Sequence, residues 1–154
     1  GGHSMSKVLI IGGGAAGMMA GGFAARNHHE VHILEKNEKL GKKVFITGKG
    51  RCNLTNSAPI MDLIGKTPGN GKFLYSAYEA FSNEDLLELL HGYGLVTKVE
   101  RGGRVFPASD DAQEVRHLFM RLLKEKKPIM NMAKKAMNRV IISSFGILIF
   151  LRRM

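Results

Sequence analysis

The chain has little cysteine, little acid and no long apolar run, and each shortage excludes something. A single cysteine, Cys52, stands among 154 residues, so an intramolecular disulfide, a CxxC metal site and an internal dithiol redox pair are all excluded. A lone thiol suits a reducing, cytoplasmic setting. Acidic residues number 13 against 23 basic ones, a formal net charge of +10, and no acid follows Glu125. Such a surplus would suit an anionic partner, but the bases are scattered. Lys42-Lys43, Lys124–Lys127 interrupted by Glu125, Lys134-Lys135 and Arg152-Arg153 are the groups. With no nucleic-acid motif among them, a nucleic-acid partner is not expected. The longest apolar stretch, Val140 to Leu151, holds Ser143, Ser144 and Gly146. It falls short of the roughly 20 residues that cross a bilayer, so no membrane span is expected. No secretory signal is read near the start, where Val8–Ile11 runs straight into glycines. Gly1–Ser4 read as a cloning remnant ahead of Met5, the native start.

What is present is a strand, a glycine turn, a helix, a second strand and an acid. The strand Lys7-Val8-Leu9-Ile10-Ile11 leads into Gly12-Gly13-Gly14-Ala15-Ala16-Gly17. A helix is expected from Ala15 to about Asn27, and a second strand, Val31–Leu34, ends at Glu35. This is a dinucleotide-binding fingerprint, and each position has a physical task. Gly12 permits a tight turn, Gly14 lets a pyrophosphate approach the backbone, and Gly17 lets the helix pack against the strand. The helix N-terminus offers N–H groups and a positive dipole end to phosphate. Glu35, 23 positions after Gly12, can bind a ribose diol. Its carboxylate would repel the 2′-phosphate of NADP. A glycine-rich turn in an ordinary βα unit leaves Glu35 unexplained.

Beyond the fingerprint the chain reads in segments. Asn37–Asn56 is glycine- and lysine-rich loop, and Ala58–Gly71, with Pro59 and Pro68, is loop or broken helix. Phe73–Phe81 suggests a short helix. Ser82, with Asp85 three residues on, caps a helix whose apolar face is Leu86, Leu87, Leu89 and Leu90. Val96–Glu100 and Arg104–Phe106 read as strands around Arg101-Gly102-Gly103. Ser109-Asp110 is read as the cap of a helix to about Lys126, with Val115, Leu118, Phe119, Leu122 and Leu123 on one face. In the tail, Ile129–Met132 suits a strand, while Met132–Asn138 equally suits a helix. Val140–Ser143 and Ile147–Leu151 read as the arms of an apolar β-hairpin. Such arms need a cover on each face, and uncovered they favour self-association.

Several chemistries are missing. No G-x-x-x-x-G-K-[ST] phosphate loop and no G-x-S-x-G elbow occurs. His28, His29 and His32 sit where the helix gives way to the second strand, and loop histidines explain them better than a metal. The stretch Thr47–Asn56 stands apart, because it concentrates glycines, an arginine, a thiol, amides and hydroxyls on the ligand edge of such a sheet. Arg51 can pair with phosphate, hold a flavin carbonyl or hold a substrate carboxylate. Cys52 reads as a small loop residue rather than a nucleophile.

A resemblance rests on these runs. Val8–Gly17, Leu34-Glu35-Lys36, Gly41-Lys42-Lys43, Gly48-Lys49-Gly50-Arg51-Cys52-Asn53-Leu54-Thr55-Asn56 and Gly103-Arg104-Val105-Phe106-Pro107 look like the BaiN-type bacterial flavoproteins. These are NAD(P)/FAD-dependent, aminoacetone-oxidase-like oxidoreductases. The G-R-C-N-L-T-N string is the most specific piece, and the resemblance spans about Lys7 to Lys126. It implies FAD, with the ADP half on Gly12, Gly13, Gly14, Ala15, Ala16, Gly17 and Glu35 beside Lys36 and Lys43. The pyrophosphate and flavin half would lie near Gly48, Gly50, Arg51, Cys52 and Asn53, with NAD(P)H as an electron donor. It also implies a glutathione-reductase-like FAD domain interrupted by a β-rich insert.

The expected fold is therefore α/β: a Rossmann-like FAD-binding domain with a parallel sheet, truncated relative to the family, with a C-terminal β-hairpin. The expected domains are 5–127, the N-terminal part of the FAD domain, and 128–154, an atypical tail that begins a β-meander or insert. The expected function is an FAD-dependent oxidoreductase or its N-terminal FAD-binding fragment. The alternative is a module that binds FAD, NAD or ADP without redox turnover. Neither the substrate nor a group that performs the chemistry is legible.

Overall fold

The computed structural model describes residues 5–124, 129–131 and 148–153. They fall into two units, one drawn from Gly1–Phe45 and Phe119–Met154, the other from Ile46–Leu118.

The first unit is built on the strand β1 (Ser6–Ile11), the helix α1 (Ala15–Arg26) and the strand β2 (Glu30–Leu34). In β1, Val8 and Ile10 are buried, and in β2 Val31 and Ile33 are buried while Glu30 and His32 alternate with them. That period of two marks β2 as a strand, while β1 is a continuous apolar run in which Ile11 is buried as well. They pair in parallel, from Lys7 opposite Glu30 to Ile11 opposite Leu34. The helix buries a face of small residues, Gly17, Gly21, Gly22 and Ala25, with Met18. A methyl on Gly22 would stand 2.6 Å from Leu122 Cγ, and one on Gly21 would stand 3.0 Å from Ile33 Cδ1 and 3.1 Å from Leu123 Cδ2. Each glycine costs about 1 kcal/mol of helix propensity relative to alanine. In return α1 lies close to the strand on one side and to the two leucines on the other.

The second unit holds the remaining regular elements. Its short strand is β3 (Thr55–Asn56), and its helices are α2 (Ile60–Lys66), α3 (Tyr75–Ala80) and α4 (Asn83–Gly92). Two further strands, β4 (Thr97–Glu100) and β5 (Arg104–Pro107), follow. The helix α5 (Ala112–Lys124) begins here and ends in the first unit. The three strands form an antiparallel sheet in the order β3-β5-β4, with Val105 and Phe106 of β5 buried at its centre. Leu90, Leu95 and Val115 are buried in the same unit. The Ser82–Asp85 capping box forms as expected: Asp85 N donates to Ser82 Oγ at 3.0 Å and Ser82 N donates to Asp85 Oδ2 at 2.7 Å.

Two expectations shift. Ile60–Lys66, read as loop or broken helix, is a regular two-turn helix that starts directly after Pro59. The fixed φ of a proline suits that position. The residue that caps α5 is Asp111, whose Oδ1 accepts from Gln113 N at 2.8 Å. Asp110, expected to help cap it, has a left-handed backbone (φ 56°) and faces Lys98 instead.

The tail supplies two more strands. β6 (Ile129–Asn131) lies parallel to β2, and β7 (Leu148–Arg153) lies antiparallel to β1, from Ser6 opposite Arg153 to Ile11 opposite Leu148. The sheet order is β6-β2-β1-β7, a parallel core with one antiparallel strand. The second arm of the expected hairpin is thus paired with the fingerprint strand. Its first arm, Val140–Ser143, and the turn lie outside the described residues, as does the helix considered for Met132–Asn138.

Candidate dinucleotide site

In the first unit the glycine turn is fastened from three directions. Gly12 N donates to Leu34 O at 2.8 Å, Gly13 N donates to Glu35 Oε2 at 2.7 Å, and Gly41 N donates to Gly13 O at 2.7 Å. Gly12 has φ 101°, a conformation that side chains disfavour. A methyl on Gly17 would stand 1.9 Å from Gly12 O, so the helix can start this close to the strand only with glycine there. Gly13 is equally committed: its methyl would meet Leu40 Cδ2 at 2.2 Å. Gly14 differs, because a methyl there would meet nothing within 4 Å. The open side of the turn therefore lies at Gly14, the N-cap of α1, where no side chain caps the helix and no acid occupies the first turn. Ala15 and Ala16 follow, both exposed.

Glu35 is 7% exposed, yet it is well provided with partners. Oε2 takes Gly13 N, and Oε1 takes Asn37 N at 2.8 Å and Asn37 Nδ2 at 2.6 Å. A carboxylate offers about four acceptor positions, so one remains after these three. Immediately beyond, Lys36, Asn37, Glu38, Lys39 and Lys42 line an open cleft of about 410 Å³. Lys36 sits on this cleft, and Lys43 is exposed on the short 3-10 turn Lys42–Phe45.

The second unit carries the other candidate segment. Between Thr47 and Cys52 the backbone enters the left-handed region four times: Gly48 (φ 58°), Lys49 (φ 59°), Gly50 (φ 88°) and Cys52 (φ 62°). A lysine and a cysteine in that region carry strain that something must compensate. Cys52 N donates to Thr47 O at 3.0 Å and Arg51 N to Gly48 O at 3.3 Å, closing the turn on itself. Cys52 is buried, and burial pushes its thiol above the ordinary range, against a weaker opposing pull from the Thr47 hydroxyl. It is not set up as a thiolate. The Asn53 amide lies 3.1 Å from Thr55 O and 3.2 Å from Val105 O, the orientation in which its nitrogen donates to both.

Arg51 is committed within its own unit. Nη1 donates to Glu100 Oε1 at 2.8 Å and lies 3.5 Å from Asp110 Oδ1, Nε donates to Gly48 O at 3.3 Å, and Cζ stands 4.3 Å from the centre of the Phe106 ring. Glu100 hydrogen bonding, then its charge, raises the guanidinium further above its already high value. Lys98 Nζ completes the set on Asp110 Oδ2. The structure thus gathers Gly12–Gly17 with Glu35 in one unit and Gly48–Asn53 in the other.

Sequence reasoning missed Asn37 and Leu40 behind the turn, and Glu100 and Asp110 behind Arg51. Nothing local marks them. Glu100 is 49 residues from Arg51, and Asp110 is 59.

Fold and fingerprint together define a Rossmann-type domain of the dinucleotide-binding class. The chain belongs to the family of the HI0933-like protein Rossmann domain, which it matches over residues 6–149, a flavin-binding family that agrees with the resemblance read from the motifs. It is 41% identical over 125 residues to the 3-dehydro-bile acid delta(4,6)-reductase of Clostridium scindens, covering 80% of this chain and 30% of that protein. It is 31% identical over 112 residues to the ribosomal RNA dihydrouridine synthase of Escherichia coli, covering 70% of this chain and 26% of that one. The chain thus spans about 30% or less of these curated relatives. THI4 from Thermovibrio ammonificans shares the fold, with a TM-score of 0.53 at 14% identity over 84% of this chain and 38% of that one. Among the described residues no helix is long and apolar enough to cross a membrane, and no cluster of acids, histidines and cysteine is placed to hold a metal.

Proposed function

We propose that this chain is the FAD-binding portion of a flavin-dependent oxidoreductase that saturates a carbon–carbon double bond. The observation that carries the reading is the glycine turn, closed at Gly12, Gly13 and Gly17 and open at Gly14, beside a buried Glu35. The uncapped N-terminus of α1 would take the pyrophosphate on the N–H groups around Gly14, Ala15 and Ala16. Glu35 would give its remaining acceptor position to a ribose hydroxyl. The half-buried Asn37 side-chain amide is the donor most easily displaced to free a second. Lys36 and Lys43 would face the adenosine half. The turn Gly48–Asn53 would approach the flavin half, with Gly48 and Gly50 supplying backbone and Cys52 and Asn53 holding its shape.

Bound FAD would supply hydride transfer, chemistry that no side chain of this protein provides. A reduced nicotinamide, NAD(P)H, is the proposed electron source. Support for the substrate class comes from two relatives whose named activities, a delta(4,6)-reduction and the making of dihydrouridine, both remove a carbon–carbon double bond. We take a small conjugated enone as the substrate, in keeping with the higher identity to the bile-acid enzyme and with the scattered basic residues. The buried single thiol fits a reducing compartment.

A visible absorption spectrum of the purified chain, followed by mass analysis of released cofactor, tests the first step. Bands of oxidised flavin and the mass of FAD are expected. Release of NAD or ADP alone would favour a nucleotide-binding module without turnover. In a version extended to the relatives' length, NAD(P)H-dependent loss of enone absorbance tests the second step. Reduction of uridine in RNA with no enone turnover would move the substrate to nucleic acid.

A further inference from the structure

We propose that Arg51 is a positioning residue, a clamp that holds the left-handed turn Thr47–Cys52 in shape, rather than a group that contacts cofactor phosphate. This rests on the reading above, in which that turn approaches the flavin half of FAD. The geometry leaves the guanidinium little freedom. One face lies on the Phe106 ring at 4.3 Å, Nη1 is bonded to Glu100, and Nε is bonded to Gly48 O. Phe106 is itself fixed, 1% exposed in the central strand of its sheet. The ring also crowds the turn directly, since a methyl on Gly48 would meet Phe106 Cε1 at 2.7 Å. Gly48, Arg51 and Phe106 are thus a stack, and Glu100 sets its edge from the adjacent strand. The stack offsets the cost of placing Lys49 and Cys52 in the left-handed region. A guanidinium suits this task and an ammonium does not, because only the planar fork can stack on a ring and bond in its own plane at once.

The roles separate experimentally. A phosphate ligand and a clamp respond oppositely to loss of Glu100: the carboxylate would compete with a bound anion but completes a clamp. FAD affinity of the 154-residue chain would be measured for the parent, R51K, E100Q and the double variant. The clamp predicts that R51K and E100Q each weaken FAD binding about tenfold, the scale of one charge-assisted hydrogen bond. It also predicts that the double variant is no weaker than either alone. E100Q binding FAD as tightly as the parent, or more tightly, would overturn it. The second readout needs no flavin. Lys49 is exposed in the turn, and trypsin cleavage after it should quicken in R51K and E100Q while cleavage after Lys66 and Lys72 keeps the parent rate. An unchanged rate at Lys49, or equal acceleration at all three sites, would overturn the clamp. If the parent binds no FAD, the flavin reading fails while the cleavage pattern still decides the clamp.

Discussion

Gly14 and Gly17 are three residues apart in one motif, yet they answer to different constraints. At Gly17 the neighbouring atom is the backbone carbonyl of Gly12, 1.9 Å from any added methyl, and backbone cannot step aside as a side-chain tip can. Gly17→Ala should therefore damage the fold, by about 3 kcal/mol or more, at the upper end of overpacking costs. Gly14→Val should leave thermal stability near the parent value, because the space is empty. Thermal unfolding of both variants checks this, and equal loss in the two would contradict it. Glu35 is less simple than a ribose ligand. Removing it in Glu35→Ala would strand the buried Gly13 N–H, a cost of about 1–3 kcal/mol, so Glu35→Gln is the cleaner probe of cofactor binding. Cys52 illustrates a residue whose chemistry is suppressed by its place. Burial raises its pKa, so iodoacetamide should label it slowly at pH 7 and speed up only above the ordinary thiol range. Rapid labelling near pH 7 would contradict the buried geometry.

Among the elements, those specified locally were legible and those specified at a distance were not. The two apolar strands around the glycine turn, the helix between them and the Ser82–Asp85 box are all written within a few residues, and each element formed near its expected bounds. The glycine positions of the fingerprint were legible for the same reason. The pairing of β7 with β1 was not, because nothing near Lys7 announces that Arg152 will lie opposite it. Nor could the sequence show that Arg51 would be taken up by Glu100 and Phe106, since that depends on how β4 and β5 turn back on the loop. The Asp110 end of this network gives a pH prediction. Its carboxyl is held below the usual range, first by the hydrogen bond from Lys98 and then by the charges of Lys98 and Arg51. A lowered folded-state pKa contributes stability that is complete above the unfolded value, about 4, and is lost as pH falls through the folded value. Thermal unfolding between pH 6 and 2 should show a decline setting in below about pH 4 that Asp110→Asn reduces. An identical decline in the variant would contradict it.

At the scale of the whole molecule, the chain is a cofactor-binding portion that matches 30% or less of the length of each of its curated relatives. Each of the two units carries one candidate segment. The tail has a consequence of its own. β7 closes one side of the sheet, and among the described residues no strand pairs with its other edge. Its sequence, Leu148-Ile149-Phe150-Leu151, is apolar, and such edges pair between chains. Light scattering should report a mass above the 16.9 kDa of one chain, rising with concentration. A monodisperse single chain across the micromolar range would remove the proposal of self-association.

The central claim, that the turn open at Gly14 holds FAD, is tested most directly by titrating FAD fluorescence with the parent chain, Gly14→Val and Glu35→Gln. The account predicts quenching by the parent that saturates at about one FAD per chain. It predicts no saturation in Gly14→Val at unchanged circular dichroism, and weakening of about tenfold in Glu35→Gln, the scale of one hydrogen bond to a charged acceptor. Equal affinity in all three proteins, or no quenching by the parent, would contradict it.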